Sequence, residues 1–383
     1  MWPESKEPKK STSPPKLKTG LTTGSCATAC CVAAAHSLFT GALEARSVTI
    51  TLPSKKKNSD FLGDAHVELP ITKIEKHSLH VSAYTIKDAG DDPDVTHGAT
   101  IWVALKKIVE PEIYFSAGKG VGTVTKAGLA LDIGEPAINP VPRKMMIEHL
   151  RNMSAEYGYE GGFQVTVGVE GGEQLALKTM NPRLGIQGGL SILGTSGIVR
   201  PFSCSAYIAS IQQGVDVALT NGEYHLAAST GNQSELAIKN IYVLKDMALI
   251  EMGDFVGALL KHIRTRFKNG QSIPKRLSIC AGFGKLTKLA AGNMDLHSRA
   301  SRIDFEQLTN WVAELDASSD LLESVSNANT SVEVLKICQG KNLDLATLVC
   351  ERARKQVYGV LPESILVEVF AINRQGQIVG SVK

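Results

Sequence analysis

Leu184–Ser203 reads LGIQGGLSILGTSGIVRPFS, and His225–Glu235 reads HLAASTGNQSE. In the first, the apolar run GLSIL ends in Gly194-Thr195-Ser196-Gly197. In the second, His225–Ser229 ends in Thr230-Gly231-Asn232-Gln233-Ser234-Glu235. Two strands that stop side by side, each followed by a glycine turn and a helix, make the nucleotide crevice of an open α/β sheet. Glycine lets a ligand approach the backbone, and the helix beyond it offers free N–H groups. This stretch is therefore expected to be the cofactor half of the protein.

The pattern continues downstream. CSAYIASIQQGVDVALTNG puts Tyr207, Ile211, Val215, Ala218 and Leu219 on one helical face, closed by Gly222. ALIEM precedes Gly253-Asp254-Phe255-Val256-Gly257 and the helix ALLKHIRTRF. RLSICA precedes Gly282-Phe283-Gly284-Lys285. Strand and helix alternate about four times, which predicts a parallel, doubly wound, Rossmann-like α/β domain with its turns at one edge. GFGKLTK is no P-loop, because Ile279 and Leu286 stand where glycine and Ser/Thr are required. His297 is a lone histidine in a polar loop. Residues 302–358 read as helices, and ILVEVFAINRQGQIVGSV as a hairpin turning at Gly376.

The part before Asn181-Pro182 has another character. SVTITLP, AHVELPI, SLHVSAYTI, ATIWVAL and EIYFSAG alternate with period two and predict a mostly antiparallel α+β domain over 17–181. FQVTVGVEGGEQLALKTM reads as a hairpin around Gly171-Gly172, and RKMMIEHLRNM as a helix after an extended segment containing Pro136, Pro140 and Pro142. Residues 1–16 are polar and read as a disordered tail, and Lys55-Lys56-Lys57 as a solvated hairpin tip. The second domain is then 182–383.

Three loops here carry chemistry. Thr19–Ser25 is rich in hydroxyls and glycine and opens an alanine-rich helix. It can bind an anion or simply cap that helix, and both readings stand. Lys87–Gly98 holds Asp88, Asp91, Asp92, Asp94 and His97. A solvated acidic turn, a cation site, an acid/base group and a substrate-orienting group are all compatible with it. Gly118-Lys119-Gly120-Val121-Gly122-Thr123 is GxGxG, a backbone anion cradle or a plain turn.

Composition bounds the rest. The 383 residues are 43% hydrophobic and 21% charged, with net charge +3, which does not suggest a nucleic-acid partner. No apolar run reaches membrane-span length. The seven cysteines (Cys26, Cys30, Cys31, Cys204, Cys280, Cys338, Cys350) form neither a disulfide framework nor a zinc motif. They read as reduced thiols of a cytoplasmic protein.

TGLTTGSCATA, KDAGDDPDVTHGA, GKGVGTVTKAGL through GEPAINPVPR, ILGTSGIVRPFS, ASTGNQSE, EMGDFVG and GFGKLTKLAAG occur in that order over about Leu17–Ser301. In this set the chain resembles the cobalt-precorrin-5B C-1-methyltransferases of cobalamin biosynthesis, the CbiD family. It differs in carrying Cys30 and Cys31 where mostly alanine and lysine are expected. The resemblance implies methyl transfer from S-adenosylmethionine to C-1 of a cobalt-containing tetrapyrrole, with the cobalt brought by the substrate and no metal site in the protein.

On that reading Gly194, Thr195, Ser196, Gly197, Thr230, Gly231, Asn232 and Gly253 would line the donor. Glu235, then Asp254, would hold its ribose. Thr22, Thr23, Gly24, Ser25, Gly118, Lys119, Gly120, Gly122, Thr123 and Arg143 would meet the substrate carboxylates. Asp88, Asp91, Asp92 or His97 would manage a proton or orient the ring. The donor would face a bowl built by the N-terminal half. The rival classes are a non-catalytic tetrapyrrole carrier and a nucleotide-dependent phosphotransferase. Nothing in the sequence opposes a homo-oligomer.

Overall fold

The computed structural model describes residues 17–44, 46–54 and 61–383. The expected tail and the Lys55–Lys57 tip lie outside them. The chain is a mixed α/β protein of two compact units. The first takes the described residues up to Val121, with Ile138–Leu175 and Ile192–Ser203. The second takes Gly122–Ala137, Ala176–Ser191 and Cys204–Lys383. A single boundary after Asn181 is thus corrected. Residues 192–203, expected in the cofactor half, belong to the first unit, and 122–137 belong to the second.

In the first unit, β1 (Gly20–Leu21) leads into α1 (Thr23–Thr40). Thr22 caps α1 by accepting the Ser25 N–H, and Gly41 ends it at φ 78°. The helix is buried on nearly every side, so small residues fill it, and Cys30 and Cys31 are fully enclosed. The hairpin β2 (Ser47–Pro53) and β3 (Leu62–Pro70) follows. Then come β4 (Lys73–Lys76), β5 (Val81–Ile86), β6 (Thr100–Ile108) and β7 (Ile113–Ala117). Beyond them lie α2 (Pro140–Tyr157) and β8 (Gly162–Val169). The sheet order is β4-β5-β6-β8-β7, antiparallel except for the β8–β7 pair. Period-two alternation buries Val81, Ala83, Ile101, Val103, Leu105, Val165 and Val167. The opposite face carries Tyr84, Trp102 and Lys106.

Two local expectations change. Gly172–Ala176 is a short helix, so FQVTVGVEGGEQLALKTM forms one strand of the expected hairpin. The last prolines of the extended segment sit in the first turn of α2, where a missing N–H costs nothing.

In the second unit, α3 (Cys204–Thr220), β10 (His225–Ser229) and α4 (Asn232–Lys239) are followed by β11 (Leu249–Glu251), α5 (Val256–Lys268), β12 (Arg276–Gly282) and α6 (Phe283–Ala290). β9 is the two-residue strand Ile198–Val199 of the first unit. Further helices, ending with α7 (Leu345–Tyr358), lead to the hairpin β13 (Leu366–Ile372) and β14 (Ile378–Val382), with Gly376 at φ 80° in its turn. The sheet order is β11-β10-β12-β13-β14. The first four strands are parallel and β14 is antiparallel.

Both faces of this sheet are buried. Leu226, Ala228, Leu277, Ile279, Val367 and Val369 pack on one side with α3, α5, α6 and α7. Ala227, Cys280, Phe370 and Ile372 pack on the other with Ala237 and Ile238 of α4. That second face also buries Glu368, which accepts from Ser278 Oγ at 2.6 Å and Tyr242 OH at 2.9 Å. Strand order reverses between β10 and β12, the place where such a sheet leaves a crevice beyond its carboxyl ends.

Candidate functional site

GLSIL is not a strand of this parallel sheet. Its Ile192 bridges Ile138, and β9 beyond it pairs with β1 in the first unit. The reason is local. Thr22 N donates to Gly197 O (3.0 Å) and Gly24 N to Leu193 O (3.0 Å). Ser25 Oγ donates to Gly197 O (2.7 Å), and Thr23 Oγ1 accepts from Leu193 N (3.0 Å). Gly194, at φ 138°, lies where any Cβ would strike the Thr22 side chain. The TGLTTGS and ILGTSG motifs therefore satisfy each other. Thr22, Thr23, Gly24 and Ser25 are buried by this exchange, which corrects their assignment to substrate carboxylates. Gly194 and Gly197 are corrected likewise as donor-binding turns. Ser196 holds its own turn through Ile198, and Thr195 stays exposed.

The acidic loop joins the same knot. Asp88 pairs with Lys18 Nζ (2.6 Å) and accepts from Gly90 N (2.8 Å). Asp91 takes the Lys18 amide, and Asp92 the Phe202 amide at 2.9 Å. Lys87 is 1% exposed and reaches Asp94 at 2.6 Å. Burial pushes the Asp94 carboxyl up, but hydrogen bonds from Lys87 and Thr96 outweigh it and hold the group below its ordinary value. Asp88 and Asp91 thus tie the loop to Lys18, Asp92 ties it to Phe202, and Asp94 closes it on Lys87 and Thr96. His97 Nδ1 accepts the Ala89 N–H (3.1 Å), which places the ring proton on Nε2. Asp88 and His97 keep about half of their side-chain surface exposed.

The Gly118–Thr123 loop is no open cradle. Its Gly118, Val121 and Gly122 amides donate to Val167, Gly118 and Leu190 carbonyls. Gly120, at φ 80°, is required because a Cβ would strike the Val169 carbonyl. Lys119 is exposed and Thr123 half-buried. Arg143 Nε donates to Ile138 O (2.7 Å), and its guanidinium lies 5.6 Å from the Phe115 ring centre.

The carboxyl edge of the parallel sheet in the second unit is different. Ser229 Oγ, at the end of β10, and Asp254 Oδ1, after β11, are buried without a hydrogen-bond partner. Lys285 Nζ, in the first turn of α6, lies 3.1 Å from that Asp254 oxygen, out of hydrogen-bond alignment, and donates to Thr230 O at 3.3 Å. Gly253, at φ 55°, packs where a Cβ would meet the Tyr207 hydroxyl. Burial, then Glu251 and Asp254, push the Tyr207 phenol up to about 12. At Gly231 and Gly282 an added Cβ would meet no protein atom within 4 Å. Thr230, Gly231, Gly253 and Asp254 are therefore brought together as expected, with Asn232 opening α4 beside them.

Glu235 is not available with them. Arg183 Nη1 and Nη2 each hold one of its oxygens at 2.7 Å, and Lys239 adds a third contact at 3.3 Å. Its assignment to the donor ribose is corrected, because both carboxylate oxygens fasten Arg183 to α4. Sequence reading passed over Ser229, Glu251, Tyr207, Gly282 and Lys285 at this edge. The strand-end position of GFGKLTK, already legible, was the signal for the last two.

The CbiD family model matches residues 10–201, and the model of the CbiD C-terminal domain matches residues 295–383. A cobalt-precorrin-5B C(1)-methyltransferase of Marinomonas sp. (strain MWYL1) is 55% identical, over 99% of this chain and 97% of its own. The chain belongs to the CbiD family. A second CbiD relative of the same name, from Pseudomonas fluorescens (strain Pf0-1), is 56% identical over 96% of each chain. A crystal structure titled cobalamin biosynthesis protein (cbiD) from Archaeoglobus fulgidus is 26% identical, covers 70% of this chain and 78% of its own, and aligns with a TM-score of 0.37. The two CbiD model matches leave 202–294 between them, the segment that carries β10, β11, β12 and their loops. The full-length relatives span it.

Proposed function

We propose that the chain transfers the methyl group of S-adenosyl-L-methionine to C-1 of cobalt-precorrin-5B, giving cobalt-precorrin-6A in anaerobic cobalamin biosynthesis. The donor site is the carboxyl edge of the second unit, read as a Rossmann-like domain. The observation that carries this reading is the buried Ser229 hydroxyl without a hydrogen-bond partner, together with an Asp254 oxygen met only by the misaligned Lys285 ammonium at 3.1 Å and two glycines that face open space. A buried polar atom without a partner costs about 1–3 kcal/mol, so a ligand that satisfies it is strongly favoured. Gly282, at φ −61°, is a glycine that its own backbone does not require, and it leaves room for a ligand there.

The donor fits these residues. Asp254 and Glu251 can accept from ribose hydroxyls, Gly231 and Gly282 admit its body, and Lys285 can meet its carboxylate. When bound, the donor offers a methyl on a cationic sulfur, and the new C–C bond forms as the S–C bond breaks, its electron pair leaving on sulfur. Charge is dispersed in that step, so the residues act mainly by positioning and by excluding water. His97 suits a donor to the substrate better than a base, since its Nδ1 is engaged by Ala89. Transfer moves the positive charge from sulfur to the ring, and Asp88 and Asp91 are the candidates to accept the proton whose loss from the methylated ring neutralises it.

Cobalt arrives within the substrate. Among the described residues, no three His, Cys, Asp or Glu side chains stand close enough to hold a metal ion. Among them also, no helix is long and apolar enough to cross a membrane. A cytoplasmic location suits the reduced thiols.

The test is incubation with cobalt-precorrin-5B and methyl-labelled S-adenosylmethionine, followed by mass analysis. One label gained at C-1 is expected. Donor binding without transfer would replace this reading with a carrier.

A further inference from the structure

We propose that the outer face of the five-stranded sheet in the first unit, centred on Trp102, is the surface on which the planar, polycarboxylate macrocycle lies. This rests on the function proposed above. Trp102 of β6 is paired in register with Gly168 of β8, and Gly118 follows β7 in the next row. A Cβ at either glycine would collide with the indole, so the ring lies flat across both backbones. The result is an aromatic floor on a rigid sheet, part-exposed, beside a groove of about 450 Å³.

Shielding of the glycine backbone accounts for the tryptophan. It does not account for what surrounds it. His77 and His80 stack at 4.3 Å between ring centres on the rim of the groove. Lys106, four residues along β6 from Trp102 on the same face, has no ion-pair partner among the described residues. Nearby Glu75 is already paired with Lys73 and Tyr84 OH, which leaves Glu170 at the far end of β8 as the opposing charge. A flat π-surface with the Lys106 ammonium and the imidazoles of His77 and His80 at its edge offers one cation and ring N–H donors to a flat conjugated ring bearing carboxylate arms. Along the strands, Ile86 and Thr100 continue the same face to the loop that carries His97.

The probe is uroporphyrin III, an octacarboxylate tetrapyrrole, titrated into the full chain while tryptophan emission is followed. Trp102→Phe separates the Trp102 signal from that of Trp2 and Trp311. Quenching of Trp102 emission is expected, with Lys106→Glu weakening the titration about 10-fold. With cobalt-precorrin-5B, Trp102→Ala and Lys106→Glu should each raise KM about 10-fold, while kcat stays within about two-fold. Donor affinity should not change.

Unchanged KM and quenching in Lys106→Glu, a half-buried position on the outer face of the sheet and outside the core, overturn the proposal. So does a dimer that Lys106→Glu dissociates while KM holds, since the face would then contact a second copy. If wild-type protein transfers no label but Lys106→Glu still weakens the quenching titration, the methyltransferase reading fails and the tetrapyrrole surface stands.

Discussion

The loop knot of the first unit and the sheet edge of the second are written in the same residues: glycine, threonine, serine and aspartate. They differ in who uses them. In the knot, Gly194 is demanded by Thr22, and the hydroxyls of Thr23 and Ser25 are taken by Leu193 and Gly197. At the sheet edge, Gly282 is demanded by nothing, the buried Ser229 hydroxyl has no hydrogen bond, and the buried Asp254 oxygen has only the misaligned Lys285 ammonium. A motif rich in small polar residues is therefore ambiguous until its hydrogen bonds are assigned. Spent groups build the fold, and unspent ones wait for a ligand.

The comparison breaks most visibly at the buried pair of the knot. Asp94→Ala leaves Lys87 charged and alone inside the first unit, and should cost about 3–5 kcal/mol by urea denaturation. The same carboxyl is held below its ordinary 3.8 in the folded chain. Its contribution is therefore complete above that value and is lost as pH falls through the lower folded one. An acid-unfolding midpoint that does not rise in the variant would deny the pair this role.

Gly194→Ala and Gly282→Ala sharpen the contrast. The first should destabilise by about 1–3 kcal/mol, through strain and the clash with Thr22, and leave donor affinity alone. The second has φ −61°, a conformation alanine adopts freely. It should keep the melting temperature and weaken donor binding about 10-fold. If both variants behave alike in calorimetry, the two regions are not different in kind.

Asp254→Asn should likewise raise the donor Kd about 10-fold with little change in Tm. Glu235→Ala is the smallest effect on binding. Donor affinity should stay within about two-fold, while Tm falls because Arg183 loses its bidentate partner. Loss of donor binding in Glu235→Ala would restore it as the ribose carboxylate.

Some of this was readable in advance. β2, β3, β5 through β8 and β10 through β14 follow alternation or short apolar runs that local sterics and burial impose, whereas the polar β4 carries no such pattern. Of the two readings open for Thr19–Ser25, the cap is the one realised, since the Thr22 side chain starts α1. The turns at Thr230-Gly231 and Gly253-Asp254 lie at strand ends, as their spacing requires.

What the chain alone determined, then, was its family, its local elements and the alternation of strand and helix, because periodicity and capping act over a few residues. Only the tertiary structure decided which glycines and carboxylates were already engaged. Glu235 finds Arg183 at a separation of 52 residues, and Ser25 finds Gly197 at 172. No local pattern encodes a partner that far away, because it is the packing of the whole fold that brings the two groups within hydrogen-bond reach.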